Sequence, residues 1–365
     1  MARRASPVIE EPDYDHPRHA AACFGHTMAE ARFLEAYNAG RLHHAWLLHG
    51  PKGVGKATFA YRAARFLLAD AKPETEDGLF GPPRPPENMD RPSDDPGVRR
   101  VIAASHADLT TMEPERAGRQ ISAEAARTLI HSAQLTAGEG AWRVAIIDAA
   151  DDLNRSAANI LLKLLEEPPV RTVLFLISHN PGRLLPTIRS RCARLAFHPL
   201  EDEPTARILA SRRPDAEPDA MGAAIRLAGG SPGRALALLD AGGAEIVDKL
   251  GVALAGQRGD GTLAAEAFAQ SIAREPFHYG IVGETLLAWL ATAAKPGGAP
   301  AAAGLTETLA LSAAQASALG AKPWIDLYDH ARRRLERTTA VNLDPAQTLV
   351  DILARIQALL LRASA

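Results

Sequence analysis

Glycines leading into a lysine mark the first place where this chain could do chemistry. The run Trp46-Leu47-Leu48-His49-Gly50-Pro51-Lys52-Gly53-Val54-Gly55-Lys56-Ala57-Thr58 has the outline G-x-x-x-x-G-K-[ST]. In such a turn the backbone N–H groups and the start of a helix cradle phosphate oxygens, and the lysine reaches the β- and γ-phosphates. Gly50, Gly53, Gly55 and Lys56 keep that form. The next residue should carry a hydroxyl that ligates Mg²⁺, and here it is Ala57. Thr58 is an imperfect substitute, because one helical residue turns a side chain by about 100°. A nucleotide-binding loop with reduced catalytic equipment is the expectation.

A second candidate is Asp148, which ends the apolar run Trp142 to Ile147. In P-loop NTPases an acid at such a strand end holds Mg²⁺. Two readings are open for Asp148 alone: a relic Mg²⁺ site, or an acid that caps a loop. Many ATPases place a glutamate next, to polarise the attacking water, but the run here is Asp148-Ala149-Ala150-Asp151. A general base contributes about 10²–10⁴ in rate. Its loss together with the Mg²⁺ hydroxyl predicts little or no hydrolysis. A third candidate lies in Pro186-Thr187-Ile188-Arg189-Ser190-Arg191-Cys192. A guanidinium offers a fixed charge and a planar fork of donors suited to phosphate. By residue type alone, Arg191 is a surface ion-pair partner and Cys192 a small core residue rather than a nucleophile.

These residues need elements to position them. Thr27 to Ala39 reads as a helix stopped by Gly40, His44 to His49 as a buried strand, and Ala57 to Ala69 as a helix. Residues 72–98 hold seven prolines and many acids, which predicts a flexible surface insertion, either a solvated loop or a docking motif. Order resumes at Val101. Helices are expected from Ala123 to Leu135 and from Ser156 to Glu167, the latter closed by Pro168-Pro169. Strands are expected at Trp142 to Asp148, Thr172 to Ser178 and Arg194 to His198. Continuous apolar strands alternating with helices predict a parallel sheet covered on both faces. Beyond residue 200 the strand signal stops. Pro204 to Ala228 and Gly233 to Leu239 suggest a small helical lid. From 245 to 365 the pattern is helical, with breaks near Gly297-Gly298 and Asn342-Leu343-Asp344-Pro345.

Composition bounds the rest. The 365 residues suffice for two or three domains, and 47% hydrophobic with 23% charged residues is ordinary for a soluble globular protein. The formal net charge of −2 argues against a free-standing basic nucleic-acid binder, so DNA contact must come from a local patch or a shared surface. Two distant cysteines, Cys23 and Cys192, make no disulfide framework and fit a reducing cytosol. The start Met1-Ala2-Arg3-Arg4 does not lead into an apolar core, and no apolar run reaches the roughly 20 residues of a membrane span. A cytoplasmic location with no membrane contact is expected. Residues 1–18, polar and proline-containing, are expected to be disordered.

The phosphate loop, the Asp148-Ala149-Ala150-Asp151 remnant, the helix ending Leu164-Leu165-Glu166-Glu167-Pro168-Pro169 and the Ser190-Arg191-Cys192 triplet occur in an order that resembles the AAA+ clamp-loader family of replication. The likeness covers roughly residues 24–240 and is thinner towards the C-terminus. It implies an AAA+, RecA-like α/β P-loop domain over 19–199, a helical lid over 200–244 and an all-α C-terminal collar over 245–365. It further implies that Arg191 acts as an arginine finger in the ATP site of an adjacent subunit, with Ser190 and Cys192 shaping its loop. Such a finger contributes about 10³–10⁵ in rate. Ser178 or His179 falls where the family senses nucleotide, and Arg234 lies one position from its usual lid sensor. Implied partners are the gamma/tau motor subunits, a delta subunit, the beta sliding clamp and primed DNA reached through the assembly. ATP binding would be weak and not required. Many relatives carry a four-cysteine zinc module after the P-loop helix. The proline-rich insertion here has no cysteine, so no zinc or other metal is expected. The rival readings are an active AAA+ motor, such as a helicase loader or branch-migration ATPase, and a P-loop nucleotide kinase. The first needs a hydroxyl at 57 and an acid at 149, and alanine stands at both.

Overall fold

A computed structural model describes residues 16–20, 22–70, 85–114, 120–134, 142–255, 261–294, 319–341 and 343–363. The chain divides into two compact units, the first ending at Pro199 and the second beginning at Leu200.

The first unit is built on five parallel strands: β1 (Ala45–His49), β2 (Leu109–Met112), β3 (Arg143–Ile147), β4 (Thr172–Ser178) and β5 (Ala193–Ala196), in the order β2-β3-β4-β1-β5. Side chains of a strand alternate between its two faces, and here both faces are apolar. Trp46, Leu48, Val144, Ile146, Val173, Phe175 and Ile177 form one core. Leu47, Ala145, Ile147, Leu174 and Leu176 form the other. All seven residues of β4 are buried. The first core is covered by helices α1 (Thr27–Asn38), α2 (Lys56–Leu68) and α3 (Pro96–Ile102). The second is covered by α4 (Ala123–Gln134), α5 (Arg155–Glu166) and the short α6 (Pro186–Arg189). Asn154 starts α5 by accepting the Ala157 N–H at 2.8 Å, a regular N-cap. The doubly covered parallel sheet of the sequence reading is therefore present.

Two expectations need correction. Residues 1–15 lie outside the described residues, but 16–18 are not disordered: Pro17–His19 form a 3₁₀ turn. Arg65, buried on α2, donates to the carbonyls of Arg18 at 3.2 Å and Ala20 at 2.5 Å. A buried guanidinium must have its donors satisfied, and this segment does so. Likewise, 72–84 of the proline-rich insertion lie outside the described residues, but 85–98 pack on the domain. Met89 is 1% exposed in the first core, Arg91 lies 4.3 Å from the Phe66 ring centroid, and Asp95 caps α3 through the Val98 N–H at 3.0 Å. Burying one such side chain is worth about 2 kcal/mol, which a reading of local composition does not register.

The second unit is helical in all its described elements. Helices α7 (Asp202–Arg212), α8 (Pro218–Ala228) and α9 (Pro232–Asp240) share a small core of Leu209, Ala224, Ile225, Ala228, Ala235 and Leu238. Arg213 grips Asp240 with two bonds of 2.7 and 2.6 Å. Helices α10 (Gly243–Ala255), α11 (Gly261–Ala273), α12 (Pro276–Ala293), α13 (Ala321–Val341) and α14 (Pro345–Ala363) enclose a larger core in which Trp289 and Trp324 meet edge to face. The break near Leu343-Asp344-Pro345 separates α13 from α14, while Gly297-Gly298 lie outside the described residues. The fold class is thus a P-loop α/β domain followed by a helical region.

Candidate phosphate loop and arginine edge

Parallel strands bring their carboxyl ends to one edge of the sheet, where ligands of such folds bind. The phosphate loop leaves β1 at that edge. Gly50 has φ +149°, and its N–H donates to the Ser178 carbonyl at 3.3 Å. A Cβ there would stand 2.0 Å from the Phe197 carbonyl oxygen, so only glycine fits. Gly53 and Gly55 also have positive φ, at 76° and 105°. His26 lies beneath the loop: its Nε2 is 2.6 Å from the Val54 carbonyl, which requires the proton on Nε2. Its ring meets Phe197 edge to face at 4.7 Å, and burial holds its pKa below the usual imidazole range.

Lys56 opens α2 and is 3% exposed. Its ammonium donates to the Gly50 carbonyl at 2.7 Å and to the Pro51 carbonyl. Burial brings its pKa down to about 8, against the opposing pull of Asp148 and Asp151. The phosphate-binding cation is therefore engaged by its own loop. Beside it, Ala57 has no hydroxyl, and Thr58 follows half-buried on the next helical position.

Asp148 follows β3, half-buried. Its carboxyl is pushed up to about 6, first by burial and next by the charge of Glu113, with Lys56 and His16 opposing. Glu113 comes from the end of β2, where Met112 pairs with Ile147 and accepts the Asp148 N–H at 3.0 Å. His16 stands 3.7 Å from Glu113 and edge to face with Tyr61 at 5.3 Å. Tyr61 lies one helical turn from Ala57 on the same face of α2, and burial followed by the charge of Glu113 raises its phenol pKa. Glu113, His16 and Tyr61 were missed in the sequence. Glu113 was missed because β2, short and carrying Thr110 and Thr111, has no apolar run. His16 was missed because it sits in a stretch with the composition of a tail.

Asp151 was also passed over. Its carboxylate accepts the Ser178 hydroxyl at 2.8 Å and the N–H groups of His179 and Asn180. The hydroxyl at the end of β4 is thus held by an acid of the same chain. Such an edge has the shape of a phosphate cradle but does not fit a Mg²⁺–ATP site. The lysine is bonded to carbonyls of its own loop, Ala57 offers no oxygen, and burial raises the Asp148 carboxyl above the usual carboxylate range. Among the described residues no group of three His, Cys, Asp or Glu side chains could hold a metal ion.

Arg191 lies at the other edge. Helix α5 runs from the end of β3 to the start of β4, and Arg191 precedes β5, whose Ala193 pairs with Trp46 near the start of β1. The length of the strands, about 15 Å for five residues, separates it from its own loop. Its Nη1 donates to the Thr187 carbonyl at 3.0 Å and its Nη2 pairs with Glu166 Oε1 at 2.8 Å. Ser190 donates to the same carbonyl at 3.1 Å. Cys192 is buried in the second core and its thiol is pushed up to about 12 by burial, so it packs and does not react. Arg234 belongs to the second unit, where it donates to Thr285 Oγ1 at 3.1 Å.

Residues 25–201 match the family model described as DNA polymerase III, delta subunit. DNA polymerase III subunit delta' of Pseudomonas aeruginosa is 37% identical over 189 residues, 52% of this chain and 53% of that protein. The Escherichia coli subunit of that name is 35% identical over 207 residues, 57% and 58% of the two chains. DNA polymerase III subunit gamma/tau of Mycobacterium tuberculosis is 30% identical over 235 residues, 61% of this chain and 37% of that protein. The chain spans about half the length of the delta' relatives it matches. The phosphate loop, Asp148 and Arg191 all fall inside the segment that is similar to the DNA polymerase III delta-subunit family.

Proposed function

We propose that this chain is a non-motor, delta-prime-type subunit of a bacterial clamp loader, a stator within the DNA polymerase III holoenzyme. It helps an assembly of gamma/tau motor subunits and a delta subunit to place the beta sliding clamp on primed DNA. The observation that carries this reading is the position of Arg191, at the sheet edge opposite its own phosphate loop and half exposed. An arginine there cannot serve its own nucleotide site and is available to a neighbour's, where a guanidinium stabilises charge on a transferring phosphoryl group. The state of the loop supports the same reading: Lys56 is bonded to loop carbonyls and Ser178 to Asp151. Its own ATP binding is weak and not needed, and it has no intrinsic hydrolysis or polymerase chemistry and no zinc. The collar (245–365) carries its assembly contacts, and Arg234 of the lid (200–244) lies beside the family's sensor position. Ser190 and Cys192 hold the loop that presents Arg191.

The test is a reconstitution with gamma/tau and delta, followed by clamp- and DNA-stimulated ATP hydrolysis. Arg191→Ala should assemble normally and lose stimulated turnover. Unchanged turnover would remove the finger role, and turnover by the isolated chain would replace this reading with that of an active motor.

A further inference from the structure

We propose that Glu166 is the positioning residue for Arg191, holding its guanidinium ready to be handed to an incoming phosphate. This rests on the reading that Arg191 acts on a neighbouring ATPase site. The two residues come from motifs 25 positions apart, each fixed to the same core. Glu166 ends α5, where Leu164 and Leu165 are each 2% exposed. That end is pinned again by His44, whose Nε2 donates to the Leu165 carbonyl at 3.0 Å. Arg191 stands between fully buried Ile188 and buried Cys192. Their backbones therefore have little freedom, and the long arginine side chain holds what remains.

Glu166 Oε1 and the Thr187 carbonyl take one Nη each. A guanidinium has five N–H donors, so several remain for a second anion. The pair is also exchangeable. The Arg191 and Glu166 side chains are 36% and 50% exposed, and an ion pair in contact with water is weak. It is strong enough to select one rotamer and weak enough to yield to a phosphate, which carries more charge and accepts two parallel bonds. A residue that only orients the finger should change turnover and not nucleotide affinity, since ordering the reacting groups is an effect on the barrier.

The experiment uses the reconstituted assembly with ATP, clamp and primed DNA. Glu166→Gln should lower kcat about tenfold and leave KM for ATP within about twofold. Glu166→Asp, which keeps the charge, should recover part of the loss. The double variant Glu166→Gln/Arg191→Ala should be no slower than Arg191→Ala alone, because Glu166 acts only through Arg191. Co-purification and thermal unfolding verify that each variant assembles and folds. Wild-type or faster kcat in Glu166→Gln, beside a slow Arg191→Ala, would overturn the positioning role and leave the finger reading intact. A further loss in the double variant would assign Glu166 to another task and overturn it as well. Unchanged kcat in Arg191→Ala would instead sink the finger reading itself.

Discussion

The two edges of one sheet carry opposite electrostatic arrangements. At the carboxyl edge, two groups that could meet a nucleotide are taken up by the chain itself: Lys56 by Gly50 and Pro51, Ser178 by Asp151. Asp148 is pushed towards neutrality by burial. At the amino edge, a half-exposed arginine is held by one carbonyl and one solvent-exposed carboxylate. Burial separates the two. A buried charge must be satisfied within the fold, at a cost of several kcal/mol if it is not, whereas a charge in contact with water can exchange partners freely. The carboxyl edge is built to stay as it is, and the amino edge to change partners.

The contrast is sharpest if one edge can be disabled without touching the other. The largest expected effect is at the amino edge: Arg191→Ala should slow single-turnover ATP hydrolysis at the adjoining motor site about 10³-fold, with unfolding of the isolated chain unchanged. Next comes Gly50→Ala at the carboxyl edge. With φ +149° and a Cβ position 2.0 Å from a backbone oxygen, it should cost about 3 kcal/mol in urea unfolding. A cost below about 0.5 kcal/mol would mean that the loop is not held as described.

A smaller effect has a pH signature. The folded state raises the Asp148 pKa from 3.8 to about 6, so the ionised form is disfavoured on folding. Stability from this group is full below pH 4, declines as pH rises through 6, and stays reduced above it. Asp148→Asn should therefore stabilise the protein by about 1–2 kcal/mol at pH 8 and by little at pH 4, read from unfolding curves at both. Equal effects at both would show that the carboxyl is not buried against its neighbours. The smallest expected effect is that of Ala57→Ser. Restoring the hydroxyl alone should give no measurable hydrolysis by the isolated chain, since Ala149 still supplies no base. Turnover in that variant would show that the carboxyl edge is closer to working order than its contacts imply.

The strands β1, β3 and β4 and the helices α1, α2, α4 and α5 were legible because each is a long apolar pattern of one period. Strand β2 was not: Leu109-Thr110-Thr111-Met112 is short and half polar, and pairing with β3 makes it a strand. Residues 85–98 read as solvated because acids and prolines dominate locally, while the packing of Met89 and Arg91 depends on Phe66 and its neighbours. The bond from the Arg234 guanidinium to Thr285, 51 residues on, likewise has no local signal in the sequence.

What the sequence determined by itself were covalent facts. No fold can place a hydroxyl on Ala57 or a carboxylate on Ala149, so the absence of both groups could be read directly. The glycines of the loop belong to the same class, because positive φ is a local requirement. Tertiary structure decided which charges face which. That Arg191 lies at the edge away from its own loop follows from parallel pairing of β5 with β1. That Glu166 holds it, and that Asp151 holds Ser178, are contacts between residues 25 and 27 positions apart. Such pairs exist only once the sheet has aligned its strands, since neither partner carries any local mark of the other.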